Sequence, residues 1–176
     1  MIPSHYDVKI QTNLPKSKPV SFHGRVKITL RALRETLNIT LHAKRLDIRR
    51  VVIKDLDPVA AALAAAAEEG GGVVENDADF SLEPENDFLV ITAHSPLKKG
   101  RDYALEIHFK GFGGGMENTG FFRASERVFV TQFGPTHARR AFPCFDEPDL
   151  KATFKIVLTC DERFTAISNM ELEEGM

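Results

Sequence analysis

The strongest constraint on this chain is a period of two. Apolar side chains alternate with polar ones at Tyr6, Val8 and Ile10, and again at Phe22, Val26, Ile28 and Leu30, with His23, Arg25, Lys27 and Thr29 between them. The alternation returns at Leu37, Ile39 and Leu41, at Tyr103, Leu105, Ile107 and Phe109, and at Phe154, Ile156, Leu158 and Cys160. Successive side chains of an extended strand point to opposite faces, so each run has one dry face and one wet face. Many such strands, separated by Pro and Gly signals, bury their dry faces by stacking sheets, and the expectation is an all-β antiparallel β-sandwich. With 43% apolar residues and 13 Phe in 176 residues, the chain can fill one core, as a single domain of this size does. The exception to the alternation is the stretch 58–72, from Pro58 through the Ala-rich run Ala60 to Ala67 to three glycines ending at Gly72. It predicts one short helix or a flexible insertion.

Composition and spacing remove several function classes. The 23 Lys and Arg against 25 Asp and Glu leave a net charge of -2, which gives no electrostatic footprint for nucleic acid or an anionic membrane. No apolar stretch reaches the ~18 residues of a bilayer span, so direct membrane insertion is not expected. Two cysteines, Cys144 and Cys160, exclude a disulfide scaffold. The six histidines, at 5, 23, 42, 94, 108 and 137, include no pair four residues apart, so the zinc helix H-E-x-x-H is absent and no metal site is expected in this chain. There is no G-x-S-x-G elbow and no phosphate-binding glycine loop with its lysine. The neighbours Asp146 and Glu147 point to opposite sides of an extended segment and make no acid/base dyad. Cys144, between Phe142 and Phe145, reads as a small buried apolar residue. No catalytic residue is assigned.

Other charged runs read as surface. Lys44, Arg45, Arg49, Arg50 and Lys54, interleaved with Leu46, Ile48, Val51 and Ile53, form the solvated side of strands. Glu75, Asp77 and Asp79 alternate but lack the glycine and terminal Glu of a calcium loop. Asn38-Ile39-Thr40 is an N-glycosylation sequon, and its alternation with Leu37 and Ile39 turns Asn38 outward, a candidate acceptor in a secretory lumen.

From Thr131 to Phe154 the chain reads T-Q-F-G-P-T-H-A-R-R-A-F-P-C-F-D-E-P-D-L-K-A-T-F. This segment closely resembles the signature of the aminopeptidase N family of zinc metallopeptidases, departing at Gly134, where the family has Glu. Further pieces fall in family order: Pro3-x-His5-Tyr6-Asp7, Phe22-His23-Gly24, Gly120-Phe121-Phe122-Arg123 and Ala166-Ile167-Ser168-Asn169-Met170. The resemblance covers essentially all of 1–176 and implies the family's saddle-like N-terminal β-sandwich domain, short of its last strands and without the zinc-bearing catalytic domain. Gly114-Gly115-Met116-Glu117-Asn118 matches the family's exopeptidase motif by letter. It stands before Gly120-Phe121-Phe122-Arg123, in the wrong domain for that motif, and reads as a glycine-rich loop.

The resemblance implies an accessory domain of an aminopeptidase that removes N-terminal residues from peptides. Its partner would be the parent's catalytic domain, where the zinc would sit, and peptide substrates would be met through that parent. Gln132 would line the pocket for the substrate's first side chain. The family Glu that holds the substrate ammonium is Gly134 here, and its loss removes a charge-assisted hydrogen bond of ~1.5–3 kcal/mol. The alternative is a stand-alone, non-catalytic β-sandwich binding module derived from that family, with Gly134 as its hint. A sandwich lacking its last strands would expose strand edges and self-associate. The family includes cytosolic enzymes and membrane-anchored ectoenzymes whose anchor precedes this domain. The sequon favours the extracellular side, with the cytoplasm as the alternative.

Overall fold

The structure is a computed structural model that describes residues 1–14, 20–57, 77–113 and 118–173. The Ala-rich run expected to be a helix or insertion, and all of the Gly114-to-Asn118 motif except Asn118, lie outside the described residues.

The described residues form ten strands, five of them on the alternating runs: β1 (Ile2–Asn13), β2 (Val20–Arg31), β3 (Thr36–His42), β4 (Leu46–Asp55), β5 (Asp79–Glu83), β6 (Phe88–Leu97), β7 (Asp102–Gly113), β8 (Gly120–Arg123), β9 (Phe129–Gln132) and β10 (Thr153–Thr159). A five-stranded sheet runs in the order β10-β1-β2-β7-β4, a three-stranded sheet in the order β3-β6-β5, and β8 and β9 form a hairpin of their own. All pairs are antiparallel except β1 with β10, which are parallel in the register Tyr6↔Phe154, Val8↔Ile156, Ile10↔Leu158. A parallel neighbour cannot be joined by a tight hairpin, and here β1 and β10 are the first and last strands in chain order, with the rest of the fold between them.

One core joins the two larger sheets. From the five-stranded sheet come Val8, Phe22, Val26, Ile28, Leu105 and Ile107; from the other come Ile39, Leu41, Leu89 and Ile91, none more than 1% exposed. The dry faces read from the alternation of β2 and β7 are therefore the faces that meet.

Three register slips interrupt the ladders, one of them between Pro3 and His5 at the start of β1, and the other two shift the burial pattern. In β4 the register slips between Ile48 and Arg50, so Arg49 and Arg50 both turn outward and burial resumes at Val51. An extra residue in one strand reverses the side-chain parity beyond it. In β3 a second slip between Thr36 and Asn38 takes Leu37 out of the dry face, and it is 45% exposed. The dry face of β10 also stays open: Phe154, Ile156 and Leu158 are 53%, 48% and 40% exposed. They extend the core-facing side of β1 outward, past the cover of the three-stranded sheet.

Candidate functional site

Of the residues singled out in the sequence, Gln132 and Gly134 stand on the β8–β9 hairpin and the turn that follows it, and Asn38 stands apart on β3. Gln132, the last residue of β9, pairs with Gly120 and is exposed. Gly120 has φ +72, and a side-chain carbon there would run into Arg140 Cβ, so this end of the hairpin requires glycine twice over. Phe133 is half-buried with its ring against Phe142, 5.9 Å between centroids. Its carbonyl accepts the His137 N–H at 2.8 Å. This closes a turn whose outer residues, Gly134, Pro135 and Thr136, are all exposed. The Gly134–Pro135 peptide is cis.

Behind the turn the chain is tied down by charge and by main-chain bonds. Arg139, in the 3₁₀ turn Ala138–Arg140, places Nε 2.9 Å from Asp146 Oδ2 and Nη1 3.6 Å from Asp87 Oδ2, and Lys44 Nζ lies 2.9 Å from that same Asp87 oxygen. The Arg139 and Asp146 side chains are only 12% and 11% exposed, so each needs the other, because an uncompensated buried charge is strongly destabilising. The Lys44 N–H donates to the Arg139 carbonyl at 2.9 Å, and His42 and Cys144 exchange main-chain bonds of 2.8 and 3.1 Å.

Two more side chains complete the anchor, the buried Tyr6 and the half-buried His42. The Tyr6 hydroxyl accepts the Phe145 N–H at 3.2 Å while its ring stacks on Phe154 at 4.7 Å. His42 Nδ1 accepts the Asp146 N–H at 3.3 Å, which fixes the neutral ring with its proton on Nε2. Burial, reinforced by the Arg139 guanidinium, pulls the His42 pKa below the ordinary imidazole value. Burial pushes the Tyr6 hydroxyl and the Cys144 thiol well up. A thiol held protonated is no nucleophile. Glu147 is exposed and its carbonyl accepts the Leu150 N–H at 3.1 Å.

The arrangement offers an exposed, uncharged amide on a rigid mount and no acid/base or nucleophile pair beside it. Such an amide can both donate to and accept from a ligand. Among the described residues no group of three or more His, Cys, Asp or Glu is placed to hold a metal ion. A cleft of ≈ 500 Å³ lined by Asp55, His94, Arg101 and Tyr103 shares no residue with the hairpin or its turn. Tyr6 and His42 were not singled out for this role; their contacts span 139 and 104 residues of sequence.

The family model for the Peptidase M1 N-terminal domain matches residues 2–175. The chain belongs to the M1 peptidase family. Over 183 residues it is 35% identical to the thyrotropin-releasing hormone-degrading ectoenzyme of Homo sapiens, covering 99% of this chain and 15% of that protein. Over 186 residues it is 35% identical to endoplasmic reticulum aminopeptidase 1 of Homo sapiens, covering 100% of this chain and 18% of the relative. Human aminopeptidase Q is 34% identical over 182 residues, 97% of this chain and 18% of that protein. The M1 N-terminal domain thus accounts for the whole chain, which spans less than a fifth of the length of these relatives.

Proposed function

We propose that this M1 N-terminal domain is the accessory domain of a zinc aminopeptidase, inactive alone, packing on the parent's catalytic domain and contributing Gln132 to the wall of the substrate pocket. The observation that carries this is the pairing of an exposed Gln132 and Gly134 with a buried Arg139–Asp146 anchor directly behind them. A group that must project into another domain's cleft needs such a mount, because misplacement of a positioning group by ~1 Å costs orders of magnitude in rate. In this reading the open apolar stripe of Phe154, Ile156 and Leu158 is where the parent packs. The zinc and its activated water belong to the catalytic domain, so this chain's part is to bind and orient the peptide's amino end.

Relatives described by name as an ectoenzyme and as an enzyme of the endoplasmic reticulum, together with the sequon at Asn38, favour a domain facing a secretory lumen or the exterior. The test is a chimera in which this chain replaces the matching segment of human endoplasmic reticulum aminopeptidase 1, assayed by release of an aminoacyl fluorophore. Chelator-sensitive turnover by the chimera, with none from the 176-residue chain plus zinc, supports the accessory role. A folded but inactive chimera favours the non-catalytic binding module to which Gly134 points, and turnover by the chain alone contradicts both.

A further inference from the structure

Asn38 is the only one of six asparagines that is followed, two residues on, by Ser or Thr. It lies in β3, where Ile39 and Leu41 are driven into the core at 0% and 1% exposure. That puts Asn38 and Thr40 on the outer face, and both are exposed. Across the sheet on that face Asn38 lies opposite Thr92 and Thr40 opposite Val90, with the short polar Asp79 and Ser81 beyond them on β5. Thr92 Oγ1 donates to Asn38 Oδ1 at 3.2 Å. The Asn38 backbone is held separately: its N–H donates to Thr36 Oγ1 at 3.0 Å, and that hydroxyl donates back to the Asn38 carbonyl at 3.1 Å. The Asn38 side chain is therefore held through its oxygen, and its amide nitrogen has no partner among the described residues.

The same strand has an exposed edge. β3 is the outermost strand of its sheet, and Cys144 closes that edge only at His42. Upstream, from Asn38 to Thr40, β3 pairs with β6 on its inner side and no described strand pairs with its outer edge. An open edge is a template for pairing with another chain, and natural sheets blunt it with bulk or charge. An oligosaccharide is bulky and solvated.

We propose that Asn38 carries an N-linked glycan when the chain enters a secretory lumen, and that this glycan shields the open edge of β3. The donor class is an oligosaccharide on a polyisoprenyl pyrophosphate. The Asn38 amide nitrogen bonds to the anomeric carbon, the anomeric C–O bond breaks, the pyrophosphate leaves and the amide loses one proton. This goes beyond the aminopeptidase reading and stands or falls independently of it.

The test secretes the 176-residue chain from eukaryotic cells behind a cleavable signal. The expected product loses mass on treatment with a peptide N-glycosidase. The loss is absent in Asn38→Gln and Thr40→Ala and retained in Thr40→Ser. The glycosylated chain and Asn38→Gln should melt cooperatively at the same temperature, with the glycosylated chain aggregating less. Secreted wild-type chain with no glycosidase-sensitive mass overturns the acceptor assignment. A glycosylated chain that has lost cooperative melting overturns the outward placement, and equal aggregation with and without the glycan overturns the shielding role.

Discussion

At Gly134 the turn has room for the side chain it lacks. A Cβ built there meets nothing within 4 Å, and its φ lies outside the left-handed region. Gly134→Glu should therefore leave the melting temperature of the isolated domain unchanged. In the chimera it should lower the KM for peptides with a free amino end by roughly tenfold or more, in line with a charge-assisted bond of ~1.5–3 kcal/mol; an unchanged KM would remove the role assigned to this position. His42 makes a second residue-scale prediction. Its Nδ1 must stay unprotonated to accept the Asp146 N–H. Arg139 opposes protonation, and Asp146, Glu147 and Asp87, the last paired with Lys44, favour it. Burial and Arg139 prevail, so the folded-state pKa lies below the unfolded value. The stability His42 contributes is complete above the unfolded imidazole pKa of ~6.5 and is lost as pH falls through the folded value. Thermal melts from pH 7 to pH 5 should fall more steeply for the wild type than for His42→Asn, whose amide oxygen accepts the same bond without titrating.

Among the elements, β2 and β7 were the most legible, since every apolar residue of the alternation at Val26, Ile28, Leu105 and Ile107 is fully buried. What alternation does not reveal is how two of their rings are seated. Phe109 lies over Gly24 and Phe22 over Gly111, each ring occupying the space a Cβ of the paired glycine would need. The two rings meet edge to face at 6.4 Å. Gly24→Ala should destabilise the domain by about 1–3 kcal/mol through overpacking, and denaturant unfolding checks this; a loss under 0.5 kcal/mol would mean the ring moves aside freely. In β3 and β4, where the alternation misleads, a bulge is the cause, whereas in β10 the dry face simply lacks cover. Leu37 alternates correctly on paper and is exposed because the register slips beside it, and Arg49-Arg50 is the trace of the slip in β4. The anchor of the candidate site was half legible. Arg139 and Asp146 lie seven residues apart and could be paired from the segment itself, whereas Tyr6 and His42 arrive from β1 and β3 through contacts no local pattern encodes.

For the whole molecule, the two sheets share a core that, among the described residues, stays open along β10 and at Phe80 and Leu82 of β5. Phe154 still stacks on Tyr6, so it supports the fold from the uncovered side, while Ile156 and Leu158 have no comparable ring contact. An exposed apolar stripe at a sheet edge promotes association. The isolated chain should elute in part as dimers or larger species in size-exclusion chromatography, and Ile156→Thr with Leu158→Thr should shift it toward monomer without loss of cooperative melting. A wild-type chain that is cleanly monomeric at high concentration would show that the stripe drives no association. The same stripe and the mounted hairpin make the larger claim, that this M1 N-terminal domain completes a substrate pocket belonging to another domain. The most direct measurement is kcat and KM of the chimera with and without Gln132→Ala. The account predicts a KM raised roughly two- to tenfold, the worth of one neutral hydrogen bond of ~0.5–1.5 kcal/mol, with zinc content and melting temperature unchanged. Identical constants for the two chimeras would contradict it.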